Sequence, residues 1–334
     1  MKRIQLPVDV EPTVPFYLSV EEWVAKHLPE GEYFFAWQVP TSVICGRHQE
    51  IDKEVDTEAC NAAGVKIYRR KSGGGAVLAD MNNVMFSYIG PASSVQDSFT
   101  SYTSRICSML KSLGIDASPT GRNDIAINGK KVAGNAFLTL PGRSIVHGTM
   151  LYDTDFDLMS KLLTPSRAKL ASKGVVSVPS RVTTLSSEGL KMSCHDFMSY
   201  ALEYLCPESD GQYVLTDDDL SEISLIMRSY EFVNSHLDKF DSYCHEYIDG
   251  VGDLTLRYSL DDSNRLSKIA IYGDFMLLKD VQKLVIETLL GKALTRDVLT
   301  EAFHNIDFSE YIAGLDTAKF IDILTEKQYK NSMI

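Results

Sequence analysis

Between Val65 and Tyr152 short β-prone runs come in two closely joined groups, one on each side of a helical stretch. Ala76 to Asp80 and Val84 to Ile89 alternate apolar and polar residues, with Met81, Asn82 and Asn83 as the turn between them. Asp124 to Asn128 and Lys131 to Leu138 flank Gly129, the mark of a tight hairpin. Ser144 to Tyr152 follows as another strand. Strands this short and this closely joined argue against a doubly wound parallel sheet. They predict an α+β chain with a mixed, largely antiparallel sheet and flanking helices.

Helical periodicity brackets and divides these strands. Phe16 to Leu28 predicts an amphipathic helix after Pro15, Asp56 to Ala63 a short one stopped by Gly64, and Phe99 to Leu113 a longer one stopped by Gly114. Asp155 to Leu163 predicts another, ending near Pro165. Around Glu203 to Asp217 the chain turns polar, with Pro207 and Gly211, and a domain boundary is expected there. Beyond it come a helix at Asp218 to Arg228, strands at Leu254 to Leu260 and Lys268 to Gly273, and three further helices. The expectation is therefore a catalytic domain over 1–210 and a small α+β accessory domain over 217–334.

At 334 residues, with 44% hydrophobic and 23% charged residues, the chain is long enough for a real core and is neither disordered nor fibrous. No run approaches 18 apolar residues and Met1 to Phe16 holds no apolar signal core, so neither a membrane span nor a secretory leader is expected. Six cysteines are dispersed, without a C-x-x-C pair or any metal-ligand spacing. They read as free thiols of a cytoplasmic protein.

The net charge of −12 argues against a general nucleic-acid binder. That charge is unevenly placed. Lys66 to Arg181 carries fifteen Lys and Arg, seven Asp and no Glu, a net +8, against −20 for the remainder. A local positive field of this kind suits an anionic ligand such as a phosphate or a carboxylate.

Three motifs in that segment can carry chemistry. Arg69-Arg70-Lys71-Ser72-Gly73-Gly74-Gly75-Ala76 leads three cations into three glycines, whose backbone can turn N–H groups toward an anion. It has neither Walker A nor dinucleotide spacing, and a bare glycine run also serves as a plain tight loop. Arg122-Asn123-Asp124-Ile125 and Lys130-Lys131-Val132-Ala133-Gly134-Asn135-Ala136 place Asp124 and Lys131 on neighbouring hairpin strands, facing one another across the turn. There a lysine can hold a carbonyl or phosphate oxygen, and an aspartate can hold magnesium or orient the lysine. His147-Gly148-Thr149-Met150-Leu151 sits within a strand. After it a basic stretch from Lys169 through Lys173-Gly174 to Ser177-Arg181 could cover an anionic ligand. Cys107 lies on a helix and reads as a core thiol.

Taken in order, R-R-K-S-G-G-G-A-V, G-R-N-D-I, K-V-A-G-N-A and H-G-T-M-L resemble the bacterial lipoate–protein ligases, of the biotin/lipoate ligase superfamily. Residues about 15–205 resemble the catalytic domain and about 217–330 the accessory domain. The resemblance implies activation of lipoate by ATP with Mg²⁺, giving lipoyl-AMP. The lipoyl group then passes to a lysine of lipoyl acceptor domains, in 2-oxoacid dehydrogenase complexes or glycine cleavage H protein. Neither nucleic acid nor membrane is an expected partner. Lys131 would hold the carboxylate and α-phosphate, and Asp124 would be the catalytic carboxylate and the magnesium ligand. The implied ATP- and lipoate-binding set is Arg70, Ser72, Gly73, Gly74, Gly75, Ala76, Val77, Leu78, Asn83, Asn123, Lys131, Gly134, His147 and Gly148. Val77, Phe86 and Phe137 would line an apolar slot for the lipoyl tail.

Two other readings share the motifs. One is an ATP-independent octanoyl or lipoyl transferase of the same fold. Its cysteine-dependent class is disfavoured, because no Cys lies between Cys107 and Cys194. The other is a lipoate or adenylate binder without catalysis, against which Lys131 and Asp124 argue.

Overall fold

The computed structural model describes residues 1–7, 11–121, 123–164, 181–231, 240–326 and 328–330. Arg122 and the predicted basic cover from Lys169 to Ser180 lie outside the described residues.

The first elements are β1 (Lys2–Gln5), α1 (Val14–His27), β2 (Tyr33–Trp37), β3 (Ser42–Cys45), α2 (Ile51–Glu54), α3 (Thr57–Ala62), β4 (Lys66–Arg69) and β5 (Val77–Ala79). Next come β6 (Asn83–Pro91), α4 (Val95–Ser112), β7 (Ala117–Thr120), β8 (Asp124–Ile127), β9 (Lys130–Leu140) and β10 (Arg143–Leu151). They are followed by α5 (Phe156–Leu162), α6 (Cys194–Leu205), β11 (Gln212–Val214) and α7 (Asp217–Glu231). The last group is β12 (Ser242–Ile248), β13 (Gly252–Leu260), β14 (Leu266–Gly273), α8 (Val281–Leu289), α9 (Arg296–Ala302), α10 (Thr317–Glu326) and β15 (Gln328–Lys330).

An eight-stranded sheet runs β11-β1-β2-β6-β10-β9-β8-β7. Only the pairs made by β1 are parallel, so the sheet is mixed and largely antiparallel. Helices cover both faces. α1 starts at Thr13, whose hydroxyl accepts from the Phe16 amide, with Pro15 in the first turn where no donor is needed. α4 starts at Ser94, whose hydroxyl accepts from the Asp97 amide. It buries Phe99, Tyr102, Ile106, Met109 and Leu110, one stripe at helical spacing. Truncating Phe99 there would cost about 3–5 kcal/mol. Covered on both sides, β6 buries every residue from Asn83 to Gly90, although its sequence alternates.

β5 and β6 do not pair with each other. β5 joins a separate three-stranded sheet, β4-β3-β5, whose strands feed the glycine loop. The hairpin of β8 and β9 turns at Asn128 and Gly129, with φ of 52° and 76°, as a two-residue loop with both φ positive requires.

The accessory domain has its own four-stranded sheet, β14-β13-β12-β15, and its own core around Leu254, Leu256, Phe303, Phe308 and Phe320. α7, expected to open this domain, packs elsewhere: Leu215, Ile223 and Tyr230 join the core around α1. The polar stretch before it supplies β11 to the edge of the eight-stranded sheet. The smaller core begins only at β12.

Candidate active site

β4 delivers Arg70 to the inside of the glycine loop. Arg70 Nη1 donates to Ile44 O at 3.0 Å, and Nη2 donates to Gly73 O at 2.7 Å and Gly75 O at 2.8 Å. Its Nε donates to Ser72 Oγ at 3.0 Å. The loop is thus wrapped around the guanidinium, and burial pulls its pKa down to about 10. Arg69 Nη1 donates to the carbonyls of Gly46, Arg47 and Gln49. Lys71 Nζ lies 2.6 Å from Glu22 Oε1 and over the Tyr230 ring. Each of the three successive cations is therefore engaged by protein oxygens, and they brace the loop from three directions.

The glycines serve close approach of backbone to backbone. Gly74 has φ of 88°. A Cβ on Gly46 would collide with Gly74 O, and a Cβ on Gly73 would collide with the backbone of Phe275 and Leu277. The Gly74 amide donates to Phe275 O at 3.0 Å, so the accessory domain is bonded directly to the loop. Beside that contact His48 stacks on Phe275, and its Nδ1 lies 3.1 Å from Ile271 O. Burial lowers the His48 pKa to about 4.

The β8–β9 hairpin supplies the second half of the site. Lys131 Nζ is 2.7 Å from Asp124 Oδ1, and Arg181 Nη2 is 3.3 Å from Asp124 Oδ2. In register Asp124 faces Gly134, not Lys131. The lysine runs back across the bare Gly134 to reach it, and a Cβ at 134 would collide with Nζ. Asn135 Nδ2 donates to Asn123 O at 2.6 Å, and Asn123 Nδ2 donates to Asn135 O, so the two amides clasp the strands. A Cβ on Gly148 would collide with Asn135 Oδ1.

These parts enclose one cavity of about 590 Å³. Of the predicted residues, Arg70, Gly73, Gly74, Gly75, Ala76, Val77, Leu78, Asn123, Asp124, Lys131, Gly134, His147 and Gly148 line it. Ser72 and Asn83 do not. Both are fully buried behind the wall, where Asn83 accepts from Thr154 Oγ1 and donates to Leu78 O. Phe137 joins Val77 in the lining, whereas Phe86 is a core residue. The apolar lining also includes Leu18, Trp37, Ile44 and Met85, and the accessory domain adds Tyr247, Val251 and Met276. No cysteine lines the cavity, and burial pushes the thiols of Cys45, Cys107, Cys194 and Cys244 up to about 11. A thiolate nucleophile is therefore not on offer.

Residues 14–206 match the family model of the lipoyl protein ligase A/B catalytic domain, more than half of the chain. This chain belongs to the lipoate–protein ligase family. Residues 238–324 match the bacterial lipoate protein ligase C-terminus, a start that agrees with α7 packing on the larger domain. Lipoate-protein ligase LplJ of Bacillus subtilis is 31% identical over 321 residues, covering 92% of this chain and 95% of that one. Lipoate–protein ligase 1 of Staphylococcus aureus is 29% identical over 317 residues, covering 92% and 95%. Among solved structures, P. falciparum LipL1 in complex with lipoate superposes with a TM-score of 0.74 at 17% identity, covering 96% of each chain. A bipartite lipoate protein ligase with its E2 lipoyl domain, from Thermoplasma acidophilum, gives 0.61 at 23% identity, over 71% of this chain and 97% of that one. These two likenesses speak for the fold.

Several lining residues of this lipoate–protein ligase carry no motif. Leu18 and Trp37 look like ordinary core residues of a helix and a strand, and only the tertiary fold turns them toward the cavity. The accessory wall around Val251 could not be placed from local sequence, because it arrives across the domain seam.

Proposed function

We propose that the chain activates lipoate with ATP to lipoyl-AMP and then lipoylates a lysine of a lipoyl acceptor domain. The observation that carries this reading is the Lys131–Asp124–Arg181 cluster set in a cavity otherwise lined by Leu18, Trp37, Ile44, Met85 and Phe137. Such a cavity suits a ligand with an apolar tail and an anionic head.

In the first step a lipoate carboxylate oxygen attacks the α-phosphorus of ATP. The bond to the β-phosphate oxygen breaks, and pyrophosphate leaves. Both reactants are anions, so their repulsion must be offset. Lys131, prepositioned by Asp124, would meet the carboxylate and α-phosphate oxygens together, and Arg181 adds a second charge. Asp124 would also be the carboxylate for Mg²⁺, whose positive charge would further screen the phosphates. A magnesium held by one carboxylate and substrate phosphates is compatible with this site, where the described residues form no three-ligand cluster. In the second step the acceptor lysine, neutral once desolvated, attacks the acyl carbon, and AMP leaves.

The catalytic unit in this proposal extends through α7, and the accessory unit begins at β12. Acceptors would be lipoyl domains of 2-oxoacid dehydrogenase complexes or H protein. Among the described residues no helix is long and apolar enough to cross a membrane. The six free cysteines suit a reducing cytoplasm.

The test is incubation with lipoate, Mg²⁺ and ATP without acceptor, measuring pyrophosphate release and bound lipoyl-AMP. Stoichiometric lipoyl-AMP, lost in Lys131→Ala, supports the reading. Acyl transfer from an octanoylated carrier protein without pyrophosphate release overturns it.

A further inference from the structure

Glu21 lies on α1, outside every motif of the chain, and is 1% exposed. An apolar residue of its size would fill the same space without the cost of burying a carboxylate. Its oxygens have two specific partners. Ser87 Oγ donates to Oε1 at 2.5 Å, after accepting from Trp37 Nε1 at 2.9 Å. His147 Nδ1 lies 2.7 Å from Oε2. The other ring nitrogen, Nε2, is 2.7 Å from Ser72 Oγ, and Ser72 Oγ accepts from Arg70 Nε.

Only one proton arrangement satisfies every atom of this chain. A carboxylate accepts and cannot donate, so His147 Nδ1 carries the ring proton. His147 Nε2 is then an acceptor, and the Ser72 hydroxyl donates to it. That direction leaves a Ser72 lone pair for Arg70 Nε–H. With the proton on Nε2 instead, Nδ1 would face Glu21 lone pair to lone pair. Ser72 would then receive two donors, and its own proton would lose the His147 acceptor. The relay ends on the guanidinium that binds the carbonyls of Gly73 and Gly75. Three of its members, Trp37, His147 and Arg70, line the cavity.

We propose that Glu21 is a positioning residue: by fixing the His147 tautomer it sets the direction of a buried relay through Ser72 that orients Arg70 and holds the glycine loop in its binding shape. For its effect on turnover the proposal rests on the ligase reading. The relay itself does not.

The experiment compares wild type with Glu21→Leu, Glu21→Gln, Ser72→Ala and the Glu21→Leu/Ser72→Ala double variant. The first readout needs no activity: exchange of the Arg70 Nε–H with solvent, by NMR of the unliganded protein. Slow exchange in wild type and fast exchange in Glu21→Leu and Ser72→Ala is expected. Equal protection in Glu21→Leu overturns the proposal. The second readout is steady-state lipoylation of an acceptor domain with lipoate, Mg²⁺ and ATP. Glu21→Leu is expected to lower kcat on the order of tenfold to a hundredfold with the KM for the acceptor domain unchanged. Glu21→Gln, which keeps an acceptor, should recover most of it. The double variant should be no worse than the poorer single one, and additive losses overturn the proposal. Should Glu21→Leu fail to fold, the ring nitrogen shifts of His147 in wild type decide, since an Nε2–H tautomer overturns the relay. A wild type that forms no lipoyl-AMP would sink the ligase reading, while the exchange and tautomer measurements still judge the relay.

Discussion

Lys131 meets Asp124 only because position 134 has no side chain. The two are on adjacent strands but out of register, and the ammonium lies across Gly134 to close a 2.7 Å ion pair. Gly134→Ala is therefore expected to displace the lysine tip with little harm to the fold. Adenylate formation should fall about tenfold to a hundredfold, while the melting temperature stays within a few degrees of wild type. Single-turnover pyrophosphate release beside a melting curve checks it.

Lys131→Ala removes the charge itself. A loss of about 100- to 1000-fold in adenylate formation is expected, as for deletion of one preorganised electrostatic donor. Transfer from presynthesised lipoyl-AMP should suffer less, since that step no longer joins two anions. Comparing the two half-reactions is the check. Equal losses in both would tell against the role assigned to Lys131.

Gly46→Ala tests the scaffold. Its Cβ would meet the Gly74 carbonyl, which is backbone and cannot swing aside. A destabilisation of about 1–3 kcal/mol is expected in denaturant unfolding, together with weaker lipoate binding.

Acid should weaken the seam between the domains through His48. Burial holds its folded pKa near 4, against 6.5 for a free imidazole. Between those values the unfolded chain binds the proton more readily, so stability rises with pH across that window. The His48 contribution is complete above pH 6.5 and is lost as pH falls toward 4. A His48→Phe variant, which keeps a ring against Phe275, should show a flatter melting temperature between pH 6.5 and 4.

The Glu22 carboxylate acts in the same sense, in the carboxylate range. Burial alone would raise it, but hydrogen bonds from Lys71 and Tyr230 and the Lys71 charge outweigh burial and hold it low. Its contribution is present above the ordinary carboxylate range and is lost as pH falls through the lowered value. Lys71→Met should cost about 1–2 kcal/mol at neutral pH. It should also move the acid limb of unfolding to higher pH, as read from denaturant midpoints across a pH series.

Legibility followed the range of the interactions. The hairpin at Asn128-Gly129, the α4 stripe and the glycine run are local patterns, and each stands close to where its residues imply. The same locality explains the differences. Ala76 to Asp80 and Val84 to Ile89 read as neighbours across a turn, yet β5 and β6 enter separate sheets, because the partner of β5 is Val43 and its neighbours, far back in the chain. Lys2 to Gln5 and Gln212 to Val214 are too short and polar to read as strands, and they form by pairing with one another and with β2. The cations before the glycines read as charge for a ligand, and nothing local discloses that Glu22 and the carbonyl of Ile44 already hold two of them.

The bond from the Gly74 amide to Phe275 O ties the two halves of the molecule through main chain, where no side-chain substitution on either partner can compensate for a misfit. Drift in the accessory core that shifts Phe275 is felt at once in the loop that faces the cavity. The two domains are therefore expected to evolve as a matched pair, and a chimera that joins one to a distant relative's other half should fail at this seam before it fails anywhere else.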